Sequence, residues 1–183
     1  MPKVVVTEEQ WIQLGVEYFS VGGEEALVIE KMAKQLKCSK SSFYWYFSNR
    51  ESFIQKIIGY WQERATAQVI TTVEKNESVD EKIKILLTTM FSKRQDNDLH
   101  FYLRRLGQRD QSYKNVLLTI EEKRINYFAE LLQFKGFTEQ LAREKSEMIY
   151  HYYLGWFERT KYDQLNERET ERQVALIYSH IIH

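Results

Sequence analysis

The chain has 183 residues, and its 26 basic side chains balance 26 acidic ones to a formal net charge of zero. No apolar run approaches the ~20 residues of a membrane-spanning helix, and the single cysteine, Cys38, excludes an internal disulfide. One proline and a hydrophobic content of 43% predict a globular, helix-rich protein, and the missing signal-peptide core predicts a cytoplasmic location.

The first helix is predicted to begin at a capping box. Thr7 and Gln10 have the spacing in which each side chain can bond to the other residue's backbone amide. Apolar residues then recur at helical spacing from Trp11 to Phe19, which predicts one buried face. Gly22-Gly23 is predicted to end this helix.

Two shorter helices follow, joined by a tight turn. The second helix has an apolar face from Ile29 to Leu36, and Lys37-Cys38 forms the turn. Ser39 is a predicted N-cap for a third helix, which runs to about Tyr46. This arrangement predicts a compact three-helix unit at the start of the chain.

The remaining chain is predicted to be helical as well. Ser48 to Glu51 resembles another capping box and opens a long fourth helix, which nothing interrupts until about Asn76. Five further helices follow, and no strand alternation is found. The predicted fold class is therefore all-α, with about nine helices. N-caps for three of the later helices are predicted at Ser78, Thr138 and Asn166.

The stretch from Lys34 to Arg50 differs in chemistry from the rest of the chain. It contains four basic residues, no acidic residue and a run of five aromatic rings from Phe43 to Phe47. Two short helices joined by a tight turn, with lysine and hydroxyl groups opening the second, are the parts of a helix-turn-helix. A short third helix can enter a major groove and present its first residues to base edges. The alternative is a solvated basic helix pair with a structural role only.

Residues 32–53, MAKQLKCSKSSFYWYFSNRESF, resemble the TetR family of bacterial transcriptional repressors. The shared features are the Met32-Ala33-Lys34 opening, Ser39-Lys40, Tyr44 to Phe47, and Arg50-Glu51 followed by Phe53. The resemblance implies a helix-turn-helix DNA-binding domain over residues 1–48 and a ligand-binding and dimerisation domain over residues 49–183. It also implies a homodimer that reads a near-palindromic operator in double-stranded DNA and is released by a small-molecule effector.

The resemblance assigns a role to each residue of the motif. Phe43 and Phe47 are expected to pack inward. The residues expected to contact DNA are Lys40, Ser41 and Ser42 at bases, Tyr44 at a base or the backbone, and Trp45, Tyr46 and Arg50 at phosphates.

Two positions depart from the family pattern. The turn usually has glycine where this chain has Lys37, and a lysine with positive φ costs roughly 1 kcal/mol unless the turn differs. The second helix usually begins with a capping Ser or Thr, but the aligned residue is Val28. Both departures favour the alternative interpretation, a TetR-like helical interaction or ligand-binding protein that has lost specific DNA binding.

Residues 150–157 form a second aromatic stretch, on the predicted eighth helix. Core packing and dimer contact explain most of these rings, because a helix apolar around its circumference is buried on several sides. Some rings can instead line a cavity for a flat apolar or amphipathic ligand. The candidate ligand-binding residues are Trp61, Phe91, Tyr152, Tyr153 and Trp156.

No spacing in the sequence indicates catalysis, a cofactor or a metal site. We therefore expect that the protein is not an enzyme. A helical enzyme or ligand carrier is the third interpretation, after the two given above.

The eighth and ninth helices, 139–162 and 167–182, are expected to pair with their copies in a second chain. The ninth helix has an apolar stripe with nothing after it in sequence to cover it: Val174, Ile177, Tyr178 and Ile181. Ligand binding is expected to tilt the fourth helix.

Overall fold

A computed structural model of the chain describes residues 6–92, 98–160, 163 and 166–182. All regular secondary structure in these ranges is helical, which confirms the predicted fold class. In chain order the helices are α1 (Glu8–Ala26), α2 (Ile29–Gln35), α3 (Lys40–Tyr46), α4 (Arg50–Gln62), α5 (Gln68–Val73), α6 (Val79–Phe91), α7 (Asp98–Gly107), α8 (Gln111–Phe134), α9 (Glu139–Thr160) and α10 (Glu167–Ile177).

Two π-helical turns extend these helices. One, Glu63–Ala67, joins α4 to α5, and the other, Tyr178–Ile182, continues α10. If α4, its π turn and α5 are counted as the single long helix that the sequence predicts, the described ranges contain nine helices. The predicted last residues of the eighth helix, 161 and 162, lie outside the described residues. No helix in the described part of the chain is long and apolar enough to cross a membrane.

The helices divide into two compact units. The first unit contains α1 to α4, α7 and the start of α8 through Leu117, and the second contains α5, α6, the rest of α8, α9 and α10. The predicted domain boundary at residue 48 divides the chain by function and not by these compact units. It stays a prediction.

In the first unit, aromatic side chains and one close helix approach form the core. The rings of Phe47 and Phe53 lie 4.6 Å apart, and both side chains are buried. At Gly15 of α1, an added Cβ would lie 2.6 Å from Cδ1 of Ile57, so glycine allows α4 to pack closely.

The end of α1 is held by α7 in the same unit. Gly23 has a φ of 63°, and a Cβ added there would lie 2.6 Å from the ring of Tyr102. The hydroxyl of Tyr102 donates to the carbonyl oxygen of Val21 at 2.8 Å. The predicted helix end is therefore confirmed at Gly23, and a short helical turn follows it to Ala26.

The second unit buries the apolar faces of α6, α8, α9 and α10 together. Its core includes Leu87, Leu132 and Ile149. Val174 and Ile177 of α10 are also buried in this core. The expectation that the α10 stripe lacks a cover was wrong, because α6 of the same chain packs against α10.

Most predicted caps are confirmed. Thr7 and Gln10 form the reciprocal capping box, and the side chains of Ser78 and Asn166 accept backbone N–H bonds as predicted. At α4 the N-cap is Asn49 rather than Ser48, and its side chain accepts from the amide of Ser52 at 2.8 Å. Asn is a strong N-cap residue, so the capping box begins at Asn49, one position later than predicted.

Candidate functional site

The turn between α2 and α3 has a defined backbone structure. Lys37 has a φ of 55°, and it is the only non-glycine residue with positive φ in the described chain. Its amide donates to the carbonyl of Lys34 at 3.2 Å, and the amide of Cys38 donates to the carbonyl of Ala33 at 3.0 Å. This pair of bonds is the Schellman motif, which usually places glycine at the position of Lys37. Of the two alternatives that the sequence left open, a lysine at positive φ or a different turn, the structure shows the first.

The inward side of α3 is aromatic. Phe43 is buried, and its ring meets that of Trp11 edge to face at 5.3 Å. Phe47, just after the helix, is also buried, and its ring centroid lies 5.0 Å from that of Phe43. The prediction that both phenylalanines pack inward is confirmed. They anchor a helix of only seven residues, which has little stability of its own.

The outward side of α3 carries four of the predicted DNA-contacting residues. Lys40 and Ser41 are exposed at its first turn, and Tyr44 and Trp45 are 62% and 83% exposed one turn later. Residues four apart lie above one another on a helix, so the four side chains share one surface. Ammonium, hydroxyl and indole groups can all donate hydrogen bonds to phosphate or base acceptors.

The other three predicted contact residues are bonded within the first unit. Ser42 is half-buried, and its hydroxyl oxygen accepts from Nε1 of Trp11 at 3.3 Å. The hydroxyl of Tyr46 donates to the carbonyl of Val6 at 2.9 Å, and Arg50 donates to the carbonyl of Glu24. Their roles at DNA stay predictions, and each would have to exchange or share its present bond.

Lys40 is paired with an acidic residue that the sequence analysis overlooked. Its ammonium group forms a salt bridge with the carboxylate of Glu30, in the first turn of α2. The hydrogen bond from Lys40 holds the pKa of Glu30 below its usual value. Glu30 lies just outside the acid-free stretch, ten positions from Lys40, and helical periodicity does not connect two residues across a turn.

The starts of α2 and α3 have weak side-chain capping. Val28 is the N-cap of α2 and provides no side-chain bond, as predicted. Ser39 is the N-cap of α3, but its hydroxyl bonds to the hydroxyl of Ser41 at 2.7 Å instead of to a backbone amide. Ser39 is therefore confirmed as the N-cap residue, but its side chain does not cap the helix, because a neighbouring hydroxyl competes for it.

The aromatic ligand candidates of the second unit come together around Phe91. Its ring centroid lies 5.0 Å from Trp156, 5.8 Å from Tyr153 and 6.0 Å from Tyr152. The hydroxyl of Tyr152 donates to Oε1 of Gln173 at 2.5 Å. Nε1 of Trp156 is buried, and no acceptor in the described residues bonds to it. Trp61 belongs to the first unit, where its ring lies 6.1 Å from His100.

The second unit also contains a polar cluster that the sequence did not indicate. Nε of Arg124 donates to the hydroxyl of Thr66 at 3.0 Å, and Thr66 lies in the π turn. Burial raises the pKa of Tyr150 to about 12, while the nearby charge of Arg124 acts in the opposite direction. A π turn interrupts the ordinary hydrogen-bond pattern of a helix, and it is frequent at functional sites. No sequence signal marks such a turn in advance.

The comparisons with known proteins indicate one class of fold. No protein-family model matches the sequence. The uncharacterised HTH-type transcriptional regulator YuxN of Bacillus subtilis is 23% identical over 84 residues, which are 46% of this chain and 29% of YuxN. The matched region therefore spans less than a third of that curated relative.

Solved structures are similar over nearly the whole chain. A TetR transcriptional regulator from Legionella pneumophila has a TM-score of 0.80 at 15% identity, with 99% of this chain and 100% of that chain covered. The regulator FadR from Bacillus subtilis, in complex with stearoyl-CoA, has a TM-score of 0.71 at 17% identity, with 96% and 100% covered. At such identities the similarity establishes the fold.

Proposed function

The chain has the fold of the TetR-family transcriptional regulators, and on this basis we propose that it is a DNA-binding transcriptional regulator that acts as a repressor. The observation that carries the proposal is the surface of α3. Its inner face is fixed by Phe43, while Lys40, Ser41, Tyr44 and Trp45 are exposed on the outside. An exposed, short, acid-free helix after a tight turn has the form that a major groove admits.

The proposed active form is a homodimer. On α9, Leu141, Met148 and Tyr152 are exposed apolar or aromatic side chains at spacings of seven and four. These spacings place them on one face, and such a face is suited to a helix of a second copy. Two copies of α3 would then meet successive major grooves, about 34 Å apart, and read a near-palindromic operator.

The proposed effector is a small apolar or amphipathic molecule bound in the second unit. The aromatic cluster around Phe91 supports this proposal, since ring walls with few polar groups suit such ligands. The structurally similar FadR binds stearoyl-CoA, a molecule with a long apolar chain. Trp61 remains a further candidate.

Release from DNA is proposed to act through α4. This helix begins at Arg50, which donates to the carbonyl of Glu24, and Phe53 of its second turn packs against Phe43 of α3. A movement of the start of α4 would therefore change the position of α3. An effector shifts this equilibrium only by binding one arrangement more tightly than the other. The regulator would act in the cytoplasm.

The second candidate function is a TetR-like protein without specific DNA binding. The observation that favours it is the bonding of Ser42, Tyr46 and Arg50 to their own chain. Effector binding and dimerisation would remain in such a protein. The two candidates differ in one measurable property, the affinity for duplex DNA.

A gel-shift titration with the DNA upstream of the protein's own gene tests the proposal. The wild type should shift the fragment, and Lys40→Ala combined with Tyr44→Ala should abolish the shift, because both side chains lie on the proposed reading surface. Lys56→Ala is the matched control. Lys56 is an exposed lysine of α4 that pairs with Glu8 at 3.3 Å, outside the α2–α3 motif. Retained affinity in the double variant would show that α3 is not the reading surface.

A further inference from the structure

Lys40 differs from the other lysines of the α2–α3 motif. Lys31, Lys34 and Lys37 are exposed, and no acidic partner in the described residues pairs with them. The ammonium group of Lys40 is held by the carboxylate of Glu30, although both side chains are more than half exposed. A residue that is expected to contact bases is therefore already paired within its own chain.

The backbone keeps this pair together. Glu30 lies in the first turn of α2, and Lys40 is the first residue of α3. The backbone bonds from Lys37 and Cys38 fix the turn between them, and Met32 and Phe43 bury the inner faces of the two helices. The separation of the two helix starts is thus set by the fold rather than by the long side chains.

We propose that Glu30 holds Lys40 away from DNA and so lowers the affinity of the α2–α3 motif for DNA of any sequence. Glu30 then sets the strength of DNA binding. This inference rests on the proposed DNA-binding function and assigns a role to a residue outside the predicted reading surface.

The physical reason lies in what each type of DNA offers to Lys40. Non-cognate binding depends on phosphates, and each lysine that neutralises one releases a counterion. A lysine already paired with a carboxylate has no such gain, because it exchanges one ion pair for another and leaves Glu30 unpaired beside a polyanion. A guanine edge presents two acceptors, O6 and N7, but Lys40 must leave Glu30 to reach them, so a base contact has to offset the same loss. The carboxylate therefore lowers affinity at both kinds of site.

The test compares Glu30→Gln with the wild type on a short mixed-sequence duplex, by fluorescence anisotropy between about 50 and 200 mM salt. The amide keeps the size of the side chain but cannot hold the ammonium group by charge. With Lys40 free to bind phosphate, the affinity should rise several-fold. The plot of log K against log salt should steepen by about 0.9, the slope of one additional phosphate contact.

Two further variants separate the inference from a simple charge effect. Glu25→Gln also removes one exposed negative charge, but it lies before the motif and should leave the salt slope unchanged. In a Lys40→Ala background, Glu30→Gln should have no effect, since the proposed action passes through Lys40. Circular dichroism of each variant verifies that it is folded. A Glu30→Gln effect equal to that of Glu25→Gln, or one that persists without Lys40, would overturn the inference.

The same variants on the upstream fragment complete the test. Lys40 must leave Glu30 at the cognate site as well, so Glu30→Gln should raise affinity there by at least as much as on the mixed-sequence duplex. Unchanged affinity for the upstream fragment would overturn the inference while leaving the proposed function intact. A wild type that binds neither duplex at low salt would overturn the proposed function, and the inference with it.

Discussion

The ring of Phe43 meets that of Phe53 edge to face, with centroids 5.1 Å apart and planes at 87°. Phe43 is the buried residue of α3, and Phe53 lies at the start of α4. This contact joins the helix that is proposed to read DNA to the helix that is proposed to move it. Aromatic pairs of this geometry add about 0.5–1.5 kcal/mol beyond the area they bury.

Replacing Phe43 by alanine should lower the free energy of unfolding by about 3–5 kcal/mol, because a fully buried ring is lost and leaves a cavity. Urea denaturation followed by circular dichroism measures this change. The neighbouring substitution Tyr44→Ala is the control and should lower stability by only about 0.5–1.5 kcal/mol, since Tyr44 is largely exposed and loses only its edge-to-face contact with Phe43. Equal effects at the two positions would contradict the inward orientation of Phe43.

Lys37→Gly should stabilise the protein by up to about 1 kcal/mol. Lysine is strained at a φ of 55°, whereas glycine adopts this conformation freely, and part of the gain is offset by the entropy of the unfolded chain. Lys34→Gly, in the last turn of α2, should instead destabilise by about 1 kcal/mol, because glycine is a poor helix former. Thermal unfolding of both variants measures the difference, and a loss of stability in Lys37→Gly would mean that the turn is not strained.

Stability should fall at alkaline pH in a way that depends on Tyr150. Burial raises the pKa of this hydroxyl from 10.0 to about 12, so the folded chain keeps a proton that the unfolded chain has lost. Unfolding then releases a proton, and stability decreases as the pH rises from about 10 to about 12, with a maximum slope of about 1.4 kcal/mol per pH unit.

Tyr150→Phe removes this one titration. Between pH 10 and 12 the melting temperature of the variant should fall less steeply with pH than that of the wild type, whatever its stability at neutral pH. The remaining tyrosines titrate in both proteins and cancel in the comparison. Identical pH profiles would mean that the hydroxyl of Tyr150 is not buried as described.

The proposed dimer would depend on the exposed face of α9. Met148 is 59% exposed at the middle of this face, so Met148→Glu should place a charge in the proposed interface and yield a monomer in light scattering. Met148→Leu keeps the apolar surface and should remain dimeric. If the wild type itself is monomeric at micromolar concentration, the paired-groove arrangement is wrong.

Local signals in the sequence were sufficient to predict the helices and several of their ends. Thr7 and Gln10 cap α1 within one turn of chain, and the family resemblance of a short local motif implied the inward positions of Phe43 and Phe47. Such features depend on neighbours within about four residues, which periodicity records directly.

Long-range partners could not be predicted in this way. Ser42 bonds to Trp11, Tyr46 to Val6 and Arg50 to Glu24, and each pair is separated by more than 25 positions. The covered face of α10 likewise depends on α6, which precedes it by about 80 residues. Tertiary packing decides these contacts, and amphipathic spacing alone cannot show which neighbour covers a face.

The helix α3 is proposed to bind DNA through its exposed face, and the salt dependence of wild-type binding tests this proposal most directly. Labelled duplex from upstream of the protein's own gene should be bound at low salt. Log K should then decrease linearly with log salt, with a slope of about −0.9 for each phosphate contact. Binding that is independent of salt, or no binding at about 50 mM salt, would contradict the proposed DNA-binding role of α3.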